Sequence, residues 1–113
     1  MAATFIIKKN DTSPALRVII EDKDGNPVPI SGASVYFSLT NQDGEYLVDT
    51  QAAVINDGDA GDVQYNWQDG DVSEVGQLNG EFKVVFFDGR TERFPKNELP
   101  ELNFITVIAT QSN

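Results

Sequence analysis

Neither cysteine nor histidine occurs anywhere in the 113 residues. Without thiols the chain can build no disulfide, no thiolate metal site and no cysteine nucleophile. Without imidazole it can build no serine–histidine triad, no histidine acid–base pair and no ordinary zinc centre. Basic residues are also scarce, 8 against 18 acidic ones, and the formal charge is −10. Nucleic acid requires clustered lysine and arginine, and an anionic membrane would repel this chain, so neither partner is expected. No apolar run approaches the length of a membrane span, and the start MAATFIIKKNDTSP places its lysines after a short apolar run, unlike a signal peptide. A soluble, unprocessed chain follows, read as one domain over residues 1–113.

What the sequence does contain is alternation punctuated by turns. The stretch Gln64–Phe87 organises the rest, because it holds the only tryptophan, two turn signals and the longest strand pattern. Tyr65 and Trp67 are two apart and share one face of an extended segment. Asp69-Gly70-Asp71 then makes a corner, Gly76 marks a second bend, and Leu78, Gly80, Phe82, Val84 and Phe86 alternate with their neighbours. Each buried ring would remove roughly 150–250 Å² from water, enough to anchor a small core.

Further strands are predicted at Thr4–Lys8, Ala15–Glu21, Ser34–Thr40, Tyr46–Val48, Ala52–Ile55 and Leu102–Ala109, each rich in β-branched or aromatic residues. Turns fall at Asn10–Pro14, Asp22–Pro27 and Asp43-Gly44, with loops at Asn56–Asp62 and Pro95–Glu101 and a fraying end at Thr110–Asn113. Asp88-Gly89 predicts a two-residue type I′ hairpin, with positive φ at both central positions. No window carries a sustained helical period. The fold class expected is all-β, an immunoglobulin-like sandwich of about seven or eight antiparallel strands, with a small barrel as the alternative.

Candidate chemistry is thin. Asn56, Asp57, Asp59 and Asp62 lie in a glycine-rich loop of the kind that can bind Ca²⁺, but counting from Asp57 puts Asp62 and Gln68 where an EF-hand needs glycine and glutamate. These residues read better as turn formers. Asp69 and Asp71 beside Trp67 imitate a glycosidase acid pair near a sugar platform, yet Asp-Gly-Asp is ordinary corner chemistry. Gly76, Gly80 and Gly89 form no phosphate loop. Lys8, Lys9, Arg90 and Arg93 are scattered surface charges. No catalytic, cofactor-binding or metal-binding residue is assigned, and no cofactor or enzymatic activity is expected.

Several motifs in fixed order carry a resemblance. Phe5–Leu16, Asp24-Gly25-Asn26-Pro27-Val28 with Ser31-Gly32-Ala33-Ser34-Val35, Tyr65–Asp71, Gly76 with Gly80–Val84, and Phe87–Pro95 together resemble the N-terminal immunoglobulin-like domain of phage baseplate upper proteins. Valine stands at position 72, where that family often has threonine. The resemblance implies a virion structural protein, a tail or baseplate connector or attachment domain working through contacts with other virion proteins and with copies of itself. It would be made in the host cytoplasm. Family members usually continue into a longer C-terminal region that carries the receptor-binding assembly, whereas this chain stops after the domain. A carbohydrate- or receptor-binding module using Trp67, Tyr36 or Tyr46 as a stacking platform is the alternative reading.

Overall fold

The computed structural model describes residues 4–95 and 105–111. Regular structure among them is all strand: β1 (Thr4–Lys8), β2 (Leu16–Ile19), β3 (Ser34–Thr40), β4 (Tyr46–Ala52), β5 (Val54–Asp57), β6 (Asp62–Tyr65), β7 (Gly76–Val85), β8 (Thr91–Phe94) and β9 (Ile105–Thr110). They make two sheets in the predicted immunoglobulin-like sandwich. The larger runs β1-β9-β7-β3-β4 with β8 also on β7, and the smaller runs β2-β6-β5. Strand β7 is its spine. Along one side it pairs with β3, and along the other it pairs first with β9 and then with β8, which lie end to end.

Two details depart from the expected arrangement. The described residues hold nine strands, and β1 runs parallel to β9, Thr4 opposite Thr106 through Lys8 opposite Thr110. Parallel neighbours need a long connection, and here the intervening strands supply it.

Burial follows the alternation read from the sequence. In β3 the side chains of Val35, Phe37 and Leu39 point inward, and in β7 those of Leu78, Phe82 and Val84 do, with Gly80 in the same row. Phe37 is the hub. Its ring stacks on Tyr65 at 4.7 Å, tilts against Phe82 at 5.0 Å and meets Trp67 edge-on at 5.6 Å. Such aromatic pairs add about 0.5–1.5 kcal/mol each to the burial of their area. Gly80 makes room for this ring, since a Cβ there would lie 3.1 and 3.2 Å from two of its carbons.

The turns share one construction. At Asp22–Asn26, Asn41–Glu45 and Phe86–Arg90 the first residue's N–H donates to the fifth residue's carbonyl, and a glycine in fourth place donates back to the first. Those glycines, Gly25, Gly44 and Gly89, have φ between 83 and 91°. Asp88 is not among the residues with positive φ, so the expected type I′ turn is replaced by a three-residue loop, Phe87–Gly89. The longer loop confines the left-handed conformation to the one residue without a Cβ.

Other boundaries shift for identifiable reasons. The Ala15–Glu21 strand is shorter, as β2. Tyr46–Val48 extends to Ala52, and the strand expected over Ala52–Ile55 begins at Val54, as β5; between them Ala53 donates to the Val35 carbonyl at 2.8 Å and the chain crosses from one sheet to the other. The Asn56–Asp62 loop narrows to residues 58–61 because Asn56 and Asp57 complete β5 and Asp62 opens β6. Rather than fraying, Thr110 closes β9 and accepts a hydrogen bond from the Lys9 N–H at 2.7 Å. Of the Pro95–Glu101 loop and the Leu102–Ala109 strand, residues 96–104 lie outside the described residues, as do 112–113.

Candidate functional site

The corner after β6 is built by one carboxylate. Asp71 accepts from the Tyr65 hydroxyl at 2.6 Å and from the Gln68 N–H at 2.7 Å, while the Asp71 N–H donates back to the Gln68 carbonyl at 3.0 Å. Gly70, at φ 85°, permits the reversal. Burial first, and then Asp71, pushes the Tyr65 phenol well above its ordinary range. The phenol therefore stays a donor. Val72 follows as a buried core residue whose carbonyl accepts from the Asn10 N–H at 2.8 Å, which ties the β1–β2 loop to the corner. The apolar side chain at this position is used for packing, where threonine would bring a hydroxyl.

Trp67 lies beyond the end of β6 yet is only 3 % exposed, held between Phe5, Phe37 and Tyr65. It offers no face to a sugar. Its buried indole N–H meets no acceptor among the described residues. With Asp71 engaged in the corner and Trp67 in the core, Asp69, Asp71 and Trp67 do not form an acid pair on an open platform.

The residues of the glycine-rich loop are separated by their partners. Asp62 is buried and receives the guanidinium of Arg17 on both oxygens, with the Asn56 amide 3.5 Å away. Arg17, and then Asn56, hold the Asp62 carboxyl below the usual carboxylate range against the opposing effect of burial. Asp59 accepts from the Ser31 hydroxyl at 2.9 Å and Asp57 from the Ala60 N–H at 3.3 Å. No group of three or more acidic side chains among the described residues converges as metal ligands. Loop geometry explains the glycines instead: a Cβ on Gly61 would lie 2.8 Å from the Ile20 carbonyl oxygen, and one on Gly58 would lie 2.8 Å from the Ser31 Cα.

The Arg17–Asp62 pair was not visible as a sequence motif, since its members are 45 residues apart. Its only sequence signal is that Arg17 and Asp62 both occupy outward positions of neighbouring strands.

What remains open to solvent is a set of side chains on the outer surface. Phe87 at the β7–β8 tip is 90 % exposed, Ile6 on β1 65 % and Tyr46 on β4 62 %. The tip is held in place: Asp88 accepts from the Arg90 backbone and side chain, and the Arg90 guanidinium lies 5.1 Å from the centre of the Phe86 ring. On the outer face of the larger sheet Tyr36 is half-buried, with the Lys83 ammonium 5.9 Å from its ring centre. Arg93 stands 3.9 Å from Glu81, whose carboxyl burial raises and Arg93 lowers. These exposed side chains are apolar and aromatic at the β7–β8 tip, β1 and β4, and mixed in charge around Lys83, Glu81 and Arg93.

The family model described as the BppU N-terminal domain matches residues 4–99. The chain belongs to the BppU N-terminal domain family. Its members are N-terminal domains of phage baseplate upper proteins, which gives this BppU domain a structural role in the virion, among other virion proteins. Among solved structures it is similar to the N-terminal domain of phage TP901-1 ORF48, with 15 % identity, 96 % of this chain and 85 % of that one covered, and a TM-score of 0.57. It is also similar to CopC from Methylosinus trichosporium OB3b, with 12 % identity, coverage of 99 % and 88 %, and a TM-score of 0.54. Both likenesses concern the fold. No curated protein sequence matches the chain.

Proposed function

We propose that this BppU domain, read as one domain over 1–113, is a non-enzymatic connector or attachment domain of the phage tail or baseplate. It docks a sheet face or a strand edge onto neighbouring virion proteins. One observation carries this reading: the family motifs are consumed by architecture, Tyr65, Trp67 and Asp71 in the core and corner and the Asp-Gly pairs in turns. Exposed side chains such as Phe87 and Ile6 are left for contact. A role through protein contacts needs that division of labour, and a catalytic role would need polar groups brought together in a cleft. On this reading the chain is made in the host cytoplasm, contacts copies of itself as well as other virion proteins, and touches neither nucleic acid nor the membrane interior. Negative-stain imaging of purified particles with a specific antibody tests it. Label on the tail supports the reading, and absence of the protein from purified particles removes it.

A carbohydrate- or receptor-binding role on the virion surface is the second reading, and the exposure of Tyr46 is what favours it. Retention of host-wall polysaccharide that is lost in Tyr46→Ala would support this reading.

A further inference from the structure

The chain carries a formal charge of −10, yet one face departs from that balance. On the outward positions of β1, β3, β7, β8 and β9 the only carboxylate is Glu81, against Lys8, Lys83 and Arg93. The remainder is mostly serine, threonine, asparagine and glutamine, bordered by Asp49 at the irregular β4 edge. Within this face Lys83 pairs directly across from Arg93 on one side and from Tyr36 on the other, giving a row of two cations and an aromatic ring across three strands.

Like charges directly opposed on adjacent strands are destabilising, and Glu81 at 3.9 Å from Arg93 answers only one of the two. On the outward positions of these strands the folded chain therefore holds three cations against one carboxylate. Acidic turns elsewhere, at Asp22–Asp24, Asp43–Glu45, Asp57–Asp59 and Asp69–Glu74, present the complementary sign.

We infer that the Arg93–Lys83–Tyr36 row is a docking surface for an acidic turn of a second copy of this chain. The inference rests on the reading of the chain as an assembly module and specifies one of its contacts. Charge complementarity selects the occupant: a second copy brings dense carboxylates on short turns, which reach a flat sheet face that another copy of the same face would repel. The contact is heterologous, joining one surface to a different one, and so adds copies in a ring or a row. Between whole molecules of like net charge it forms only when the row itself faces the turn, which fixes orientation more than affinity.

Sedimentation velocity of the purified chain over a concentration series tests this. At about 20 mM salt the average sedimentation coefficient rises with concentration, and the rise is lost at about 0.5 M salt, where the Debye length falls to a few ångströms. The double variant K83E/R93E weakens association at least tenfold, and the milder K83Q/R93Q weakens it less. Lys83 and Arg93 both face outward, and far-UV circular dichroism establishes that each variant is folded. A chain that stays monomeric at every concentration overturns the inference, as does association that survives both the variants and high salt. Retention on a heparin column through the same residues without self-association assigns the row to polyanions instead, and also overturns it. Antibody label on particles combined with a strictly monomeric protein keeps the assembly role and removes this contact.

Discussion

The Tyr65 hydroxyl lies 2.6 Å from the Asp71 carboxylate, joining the last residue of β6 to the far side of the corner that follows it. That hydrogen bond gives a physical reason for the spacing of Tyr65, Gly70 and Asp71 around Trp67. The phenol has a buried body that stacks on Phe37 and a polar end that must find an acceptor, and Asp71 is placed by Gly70 to provide one.

Removing the hydroxyl with Tyr65→Phe is expected to lower stability by about 1.5–3 kcal/mol, the range for a hydrogen bond to a charged group. Asp71→Ala is expected to cost more, because it orphans both the hydroxyl and the Gln68 N–H, while Asp71→Asn falls between. Urea unfolding of the three variants gives the order directly.

The same contact predicts alkaline sensitivity. The Tyr65 phenol titrates above its ordinary value in the folded chain, so the folded state holds that proton more tightly than the unfolded one. The stabilisation is complete below the unfolded value of about 10 and is lost as pH rises beyond it. Wild-type stability should fall more steeply above about pH 10 than that of Tyr65→Phe. Parallel slopes would separate the phenol from the pH dependence.

Asp62 predicts the opposite limb. Its carboxyl is held below the usual range by Arg17, so its contribution is present above the unfolded value of about 3.9 and disappears as pH falls. Asp62→Asn should be less stable than wild type at neutral pH and should lose less on acidification. Acid titrations followed by circular dichroism check the difference in slope.

Phe37 and Gly80 should behave as a coupled pair. Phe37→Ala is expected to cost about 3–5 kcal/mol, and Gly80→Ala about 1–3 kcal/mol because its Cβ would press on the ring. Smaller Phe37→Leu should relieve part of the Gly80→Ala penalty. A double-mutant cycle in urea measures the coupling, and simple additivity would contradict the contact.

Periodicity made much of this fold legible. The Ser34–Thr40 strand has the bounds that its alternation indicates, and Tyr65 and Trp67 are inward as their spacing requires. Family motifs added the sandwich and the virion setting. Other features depend on contacts that alternation does not encode. The Asp88-Gly89 pair announces a turn, but whether glycine occupies its second or third loop position is set by pairing between Phe86 and Arg90. Likewise Ala52–Ile55 reads as one strand until Ala53 bonds to Val35 and carries the chain between sheets. Nor could spacing reveal that Arg17 meets Asp62, or that Lys83, Arg93 and Tyr36 share one row, since strand order decides both.

Cryo-electron microscopy of the intact phage particle tests the central claim most directly. Copies of this domain are expected within the tail or baseplate, with the Tyr65–Asp71 corner internal to each sandwich and the outer surfaces against neighbouring proteins. Particles that are complete without any copy of the domain would contradict it.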